Sequence, residues 1–261
     1  MNLHHVTRGQ GPNVLLISGL NGKARFWDPV VEQLSARFRL LAFDQRGCGA
    51  TADDGADWTI ETLAEDARMV ADRVFGEAPF AVVGHSTGGA IAQALASRHP
   101  ARIRALVLSG TWLRADAYMS ALFNLRLSLL ERAPDLDPIL SFLLRMPPET
   151  YAAPDADVVL DPDVTRRRVR ALLAHDGAEF APTIAQPTLV IGAADDRIVP
   201  IHLCRALGSA LPIAEPAVLG DGGHFFPQTR TEAFCAHLSA WFDNPRKMPR
   251  VGAPTVPDRD A

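Results

Sequence analysis

The segment 82–89 constrains the fold more than any other part of this sequence. It reads Val-Val-Gly-His-Ser-Thr-Gly-Gly, and the apolar run 80–83 that leads into it predicts a short buried strand. The small, helix-forming residues 89–96 follow and predict a helix that packs close beneath the turn. Ser86 should therefore lie in a sharp strand-to-helix turn with a positive φ, where side chains two positions to either side would collide. Both of those positions, Gly84 and Gly88, are glycine.

A serine in such a turn is a candidate nucleophile, which needs a histidine base and a carboxylate that orients the histidine. His224 follows an apolar strand on a glycine-rich loop, so it is predicted to be the base. Two carboxylates, Asp195 and Asp196, follow the preceding strand. Asp196 is preferred because it stands four residues before Pro200, which can open the next helix. Asp195 would then face solvent or cap the loop, and a one-residue exchange between the two stays open.

Charge and cysteine content exclude several classes of function. The 26 basic and 30 acidic residues give a formal net charge of −4, which offers no broad attraction for nucleic acid or an anionic membrane. Cys48, Cys204 and Cys235 are too few and too scattered for a disulfide framework or a cysteine-rich metal site. No secretory leader pattern and no membrane-spanning apolar run is found. We therefore expect a cytoplasmic protein that acts on a small molecule without a metal or cofactor, with its oligomeric state open.

Short apolar strands alternate with helical stretches along most of the chain. Strands are predicted near 13–18, 38–43, 79–84, 103–108, 187–192 and 213–219, and helices near 26–36, 60–75, 86–98, 200–210 and 229–242. This alternation predicts an α/β fold with a doubly wound, mostly parallel sheet that is covered on both faces. Residues 2–7 are expected to add an antiparallel edge strand, because residues 9–12 read as a turn.

The alternation stops at residues 113–182, where apolar residues recur at helical spacing. We expect a helical cap insertion there, with the α/β core formed by residues 1–112 and 183–243. A chain of 261 residues that is 48% hydrophobic can bury one large core and carry such an insertion. Residues 244–261, with their prolines and charges, are expected to form a flexible tail. The insertion also carries a cluster of basic residues, either a solvated helix face or an anchor for a substrate carboxylate, at Arg166, Arg167, Arg168 and Arg170.

The chain order Ser86, Asp196, His224 resembles that of the α/β-hydrolase superfamily. Residues 14–20, Val-Leu-Leu-Ile-Ser-Gly-Leu, resemble the family's third strand and the loop that follows it. Residues 44–49, Asp-Gln-Arg-Gly-Cys-Gly, match its Asp-x-Arg-Gly-x-Gly turn, which braces the structure near the site without taking part in the chemistry. The resemblance implies the α/β-hydrolase fold over nearly the whole chain.

The same resemblance implies an oxyanion hole, in which two backbone N–H groups stabilise negative charge on a substrate oxygen. Here these groups would belong to Leu20 and Thr87, and Asn21 is a nearby alternative donor. We expect Asn21, Trp112 and Arg114 to contact the substrate, because the stretch 112–114 lies at the entrance to the predicted cap.

Within the superfamily, the sequence is most similar to the aminoacrylate hydrolases of pyrimidine degradation. The similarity lies in residues 16–20, 44–47, 82–85 and 112–114. The 3-oxoadipate enol-lactonases are next, and their substrates carry carboxylates that Arg114 or the arginines of the insertion would bind. The main hypothesis is a serine hydrolase that forms an acyl-enzyme with a small, acidic or neutral, ester, lactone or C–N substrate. The alternatives are an aminoacrylate-type enamine hydrolase and a ligand-binding protein with at most a single turnover.

Overall fold

A computed structural model describes residues 2–150 and 161–244 of the chain. Its centre is a seven-stranded sheet in the order β1-β3-β2-β4-β5-β6-β7. The strands are β1 (His5–Arg8), β2 (Asn13–Ile17), β3 (Arg39–Phe43), β4 (Phe80–His85), β5 (Ile103–Ser109), β6 (Thr188–Ala193) and β7 (Ala214–Leu219). β1 pairs antiparallel with β3, and every other pairing is parallel. The predicted mostly parallel sheet and its antiparallel edge strand are confirmed.

Helices cover the sheet and fill the interval between β5 and β6. They are α1 (Asp28–Leu34), α2 (Ile60–Phe75), α3 (Thr87–Arg98), α4 (Ala117–Arg132), α5 (Asp137–Arg145), α6 (Pro162–Ala174), α7 (Ile201–Ala210), α8 (Phe226–Thr229) and α9 (Thr231–Asp243). The five helices predicted for the core correspond to α1, α2, α3, α7 and α9, with ends that agree to within two residues. No helix of the described residues is long and apolar enough to cross a membrane.

The strands are buried on both faces because their side chains point alternately to opposite sides of the sheet. In β2, Leu15 and Ile17 join one hydrophobic cluster, and Val14 and Leu16 join the other. All six residues of β4 are buried, so the central strand reads as a continuous apolar run.

The turn at residues 44–49 holds the loops beside the sheet, as the sequence predicts. The buried carboxylate of Asp44 accepts hydrogen bonds from the backbone N–H groups of Ala24, at 2.7 Å, and Ala50, at 2.9 Å. Arg46 donates to the buried carboxylate of Asp66 on α2. Both residues brace the chain, and neither lines the cavity described below.

Helices α4, α5 and α6 lie in the interval that the sequence marks as an insertion. β5 and β6, which flank this interval, are neighbours in the sheet and pair in register from Leu106 and Thr188 onward. The three helices therefore form an excursion between two adjacent strands. Residues 151–160 of the expected insertion, and residues 245–261 of the expected tail, lie outside the described residues.

Candidate active site

Ser86 lies between the last residue of β4 and the first residue of α3. Its φ is 57°, the only positive φ among the described residues other than glycine. A Cβ atom on Gly84 would lie 2.3 Å from the carbonyl oxygen of Gly88, and one on Gly88 would lie 2.1 Å from that of Ile17. These distances allow no side chain. Glycine at both positions therefore permits the strained turn that presents the Ser86 hydroxyl above the sheet.

His224 and Asp196 come together at the same edge of the sheet. Asp196 follows β6, and His224 lies on the loop between β7 and α8. The His224 Nδ1–H donates to Asp196 Oδ2 at 2.7 Å, and both side chains are buried. The other oxygen of Asp196 accepts the backbone N–H groups of Ile198, at 2.8 Å, and Val199, at 2.9 Å. This arrangement fixes the carboxylate and leaves the His224 Nε2 as the basic nitrogen.

Asp195 has a different role from Asp196. Its carboxylate accepts the backbone N–H groups of Gly222, at 3.2 Å, and Gly223, at 2.9 Å. It therefore caps the loop that carries His224, one of the two roles that the sequence left open for it. Of the two neighbouring carboxylates, Asp196 is the one in contact with the histidine.

Ser86 and His224 line one small cavity of about 40 Å³. Gly19 packs against the serine, because a Cβ on Gly19 would lie 2.9 Å from the Ser86 Cβ. Leu20 and Asn21 line the same cavity. Within the described residues no hydrogen bond joins the Ser86 hydroxyl to His224, a contact that commonly tightens only when substrate binds.

Two buried polar side chains, those of Arg168 and Gln45, donate hydrogen bonds to carbonyl oxygens of the loop after β2. Arg168 of α6 donates from Nε to the Leu20 carbonyl oxygen at 2.5 Å, and from one terminal nitrogen to that of Gly19 at 3.2 Å. The same nitrogen donates to Gln45 Oε1 at 2.5 Å, and the Gln45 amide donates to the Ser18 carbonyl oxygen at 2.7 Å. The inserted helix thereby fixes the peptide units that present the Leu20 N–H group.

His85 closes one wall of the cavity. Its ring stacks on Phe26 with centroids 5.1 Å apart, and its centroid lies 4.8 Å from that of His224. Burial, followed by the proximity of His224, lowers the pKa of His85 well below its usual value. His85 is therefore neutral and packs beside the base, so a second positive charge does not compete with protonation of His224.

Four residues of the inserted helices complete the cavity, and sequence reasoning did not find them. Phe123 and Arg126 come from α4, and Ser141 and Arg145 come from α5. Arg126 donates to both oxygens of Asp137, at 2.6 and 2.9 Å. Helical spacing is the sequence signal that could have found Arg126. It falls at the same spacing as the apolar residues that α4 buries.

Two of the three expected substrate contacts lie away from this cavity. Asn21 lines it, whereas Trp112 is fully buried elsewhere and packs edge-on against His175 at 6.3 Å between centroids. The Arg114 side chain is 68% exposed and lies 4.0 Å from the carboxylate of Asp176.

The four arginines of the basic cluster on α6 differ in their burial and in their partners. Arg166 pairs with Asp163 and Arg167 pairs with Asp53, so both are occupied by carboxylates of the protein. Arg170 is exposed. Arg168 alone is buried and reaches the loop at the cavity, where it contacts main-chain oxygens.

Comparisons with known proteins identify the family of this chain. The pattern that describes the α/β hydrolase fold family matches residues 12–229. A curated protein of a Caulobacter species, named "Putative carbamate hydrolase RutD", is 35% identical over 251 residues, which cover 90% of this chain and 93% of that protein. Its namesake from Azorhizobium caulinodans is 32% identical and covers 89% and 92% of the two chains. The crystal structure of the enol-lactonase from Burkholderia xenovorans superposes with a TM-score of 0.82 at 26% identity, covering 91% and 95%. The chain therefore belongs to the α/β-hydrolase fold family and is a hydrolase.

Proposed function

We propose that the protein is a serine hydrolase that acts on a small ester, lactone or C–N substrate through an acyl-enzyme. The observation that carries this proposal is the buried contact between His224 and Asp196 beside a serine held in a strained turn. A nucleophile, a base and a group that orients the base are the three parts that such chemistry requires. Ser86, His224 and Asp196 supply them in that order.

In the first half of the reaction, Ser86 Oγ attacks the carbonyl carbon of the substrate while His224 Nε2 takes the serine proton. Negative charge then develops on the carbonyl oxygen. The backbone N–H groups of Leu20 and Thr87 stabilise it, because Leu20 lines the cavity and Thr87 is the first residue of α3, at its positive end.

In the second half, protonated His224 gives its proton to the leaving group, and the bond from the carbonyl carbon to that group breaks. A water molecule then attacks the acyl-enzyme while His224 takes one of its protons. Collapse of this second intermediate returns the proton to Ser86 Oγ and releases the acid. Asp196 stabilises the charged imidazole in both halves without taking up the proton itself.

The segment 113–182 acts as a cap in this proposal. Its helices α4 and α5 contribute Phe123, Arg126, Ser141 and Arg145 to the cavity, so this segment sets the size and polarity of what reaches Ser86. A cavity of about 40 Å³ favours a substrate with a small acyl part.

A second candidate is hydrolysis of a carbamate or an enamine acid. The observation that favours the carbamate is the name, carbamate hydrolase, of two relatives that are 35% and 32% identical over about nine-tenths of the chain. The enamine acid follows from the sequence resemblance to the aminoacrylate hydrolases. Such a reaction cleaves a C–N bond and need not form an acyl-enzyme. Ammonia release by Ser86→Ala at the wild-type rate would favour this candidate over the main proposal.

The main proposal is tested by labelling the nucleophile. A fluorophosphonate probe should add once to the wild-type protein, as measured by intact mass, and should not add to Ser86→Ala. Turnover of p-nitrophenyl acetate should fall by at least about 10³-fold in that variant, since the serine is the attacking group. Ser97→Ala is the matched control, because Ser97 lies in the last turn of the same helix, away from the cavity, and its hydroxyl is hydrogen-bonded to that of Thr183. Folded wild-type protein that takes no adduct and shows no turnover would contradict the proposal.

A further inference from the structure

Helix α5 buries its polar face and exposes its apolar one. Asp137, Ser141 and Arg145 recur every four residues, and each is at most 7% exposed. Ile139 and Leu143, on the other side, are 41% and 49% exposed. Helices on globular proteins normally show the reverse. Burial of polar groups costs free energy unless they are paired, so this inverted face needs a reason.

Ser141 and Arg145 of this polar face line the same cavity as Ser86 and His224. The backbone carbonyl of Arg145 accepts the N–H of Phe225 at 3.0 Å, which fixes the end of α5 beside the catalytic loop. The Arg145 guanidinium lies over the ring of Phe225, at 4.9 Å from its centroid. It also lies 5.4 Å from the centroid of the Phe142 ring, so two aromatic rings hold the side chain at the cavity.

Arg145 differs from the other two buried arginines in the contacts that its guanidinium makes with the described residues. Arg126 donates to both oxygens of Asp137, and Arg168 donates to three oxygens. Within the described residues, no hydrogen bond or ion pair reaches the Arg145 guanidinium, and its Nε is buried without an acceptor. Two arginines line the cavity, and Asp137 pairs with Arg126 alone. Arg145 therefore brings to the cavity a positive charge that no carboxylate of the described residues pairs with.

This charge persists at neutral pH. Burial, followed by repulsion from Arg126, lowers the pKa of Arg145 to about 10, so the guanidinium stays protonated. A second cavity, of about 280 Å³, shares Arg145 and Phe225 with the first. The charged residues that line it are Lys23, Arg25 and Arg145, all cationic.

We propose that Arg145 binds a carboxylate carried by the substrate, so that the enzyme acts on a small acid with a second, reactive carbonyl carbon. The proposal rests on the serine-hydrolase mechanism above, and it adds the class of substrate. A planar guanidinium matches a carboxylate through two parallel N–H···O bonds, and such a pair is strong when water is excluded. An arginine with only a structural role would donate hydrogen bonds to the protein, as Arg168 does to three oxygens.

The test compares two esters that differ in one charge. Monomethyl succinate carries the carboxylate, and methyl 4-methylpentanoate replaces it with an uncharged isopropyl group of the same shape. Wild-type protein should hydrolyse the charged ester with the higher kcat/KM. Arg145→Met should lower kcat/KM for that ester by about 10- to 100-fold, chiefly through KM, and should lower it at least tenfold less for the uncharged ester. Arg132→Met, an exposed arginine on α4, should change neither.

A binding measurement separates failure of this proposal from failure of the mechanism. Calorimetry with monomethyl succinate on Ser86→Ala, which cannot turn it over, should show a dissociation constant that rises at least tenfold when Arg145→Met is added. If wild type hydrolyses neither ester but this rise is seen, the acyl-enzyme mechanism fails for esters and the carboxylate site stands. Equal losses on both esters, equal affinities, or no binding to Ser86→Ala would overturn the carboxylate site. Circular dichroism of each variant excludes misfolding as the cause.

Discussion

The carboxyl edge of the sheet and the inserted helices supply two kinds of residue to one cavity. Ser86, Asp196 and His224 each follow a strand, so the sheet's register places them together. Arg126 and Arg145 come from helices whose position depends only on how the insertion packs. In the proposed mechanism, the sheet edge carries the groups for bond making and breaking, and the insertion carries the arginine that binds the substrate. On this proposal the reaction class depends on the rigid part of the fold, and the choice of substrate depends on the variable part.

After loss of Ser86, the largest fall in kcat is expected from a substitution of Asp196, at the carboxyl edge of the sheet. In Asp196→Asn the amide would face His224 Nδ1 and favour the wrong tautomer, so kcat should fall by about 10³- to 10⁴-fold. Steady-state kinetics on an activated ester measure this. Asp195→Asn is the matched control: its single amide oxygen keeps one of the two N–H contacts with the histidine loop, and kcat should fall less than tenfold. A larger loss in Asp195→Asn than in Asp196→Asn would exchange the roles of the two carboxylates.

A smaller effect is expected where the insertion touches the sheet edge. Arg168→Met removes the donors that hold the Gly19 and Leu20 carbonyls, so the peptide that presents the Leu20 N–H can shift. Complete loss of one oxyanion donor costs about 10²- to 10³-fold in kcat, so a displaced donor should cost about 10- to 100-fold, with a smaller change in KM. The rate of fluorophosphonate labelling should fall in parallel.

The control for Arg168 is Arg170→Met, an exposed arginine on the same helix. It should match wild type in both kcat and labelling rate. A purely structural Arg168 would lower the unfolding temperature of Arg168→Met while leaving kcat and the labelling rate unchanged, and this result would contradict a positioning role.

The sequence predicts those site residues whose position is set by their neighbours in the chain, and it misses those whose position is set by tertiary packing. The glycines around Ser86 answer a local steric demand, and Asp196 stands at a predictable helix start, so short motifs reveal both. No short motif reveals Arg145, because a lone arginine on a helix is ordinarily solvated. Only the packing of α5 against the loop that carries His224 buries it. The expected contacts of Trp112 and Arg114 came from a resemblance, and the structure does not bring them to the cavity.

The smallest effect concerns the seam where the insertion rejoins the core. His175 follows α6 and is buried between Trp112 and Phe180, and neither ring nitrogen has a hydrogen-bond partner in the described part of the chain. Burial lowers the pKa of His175 to about 4, against the opposing pull of Glu61 and Asp176. The folded state therefore binds this proton less readily than the unfolded chain, and stability should fall as pH drops from about 6.5 to 4.

Between pH 7.5 and 5.5 this linkage should cost the wild-type protein about 1 kcal/mol of unfolding free energy. His175→Leu keeps the apolar contacts and removes the titrating group, so its stability should decline by that much less over the same interval. Urea unfolding at the two pH values measures the difference. His237→Ala, which removes an exposed imidazole from α9, is the control and should reproduce the wild-type decline. An equal decline in wild type and His175→Leu would mean that water reaches the seam, and that the insertion is held to the core less tightly than the catalytic edge is held by the sheet.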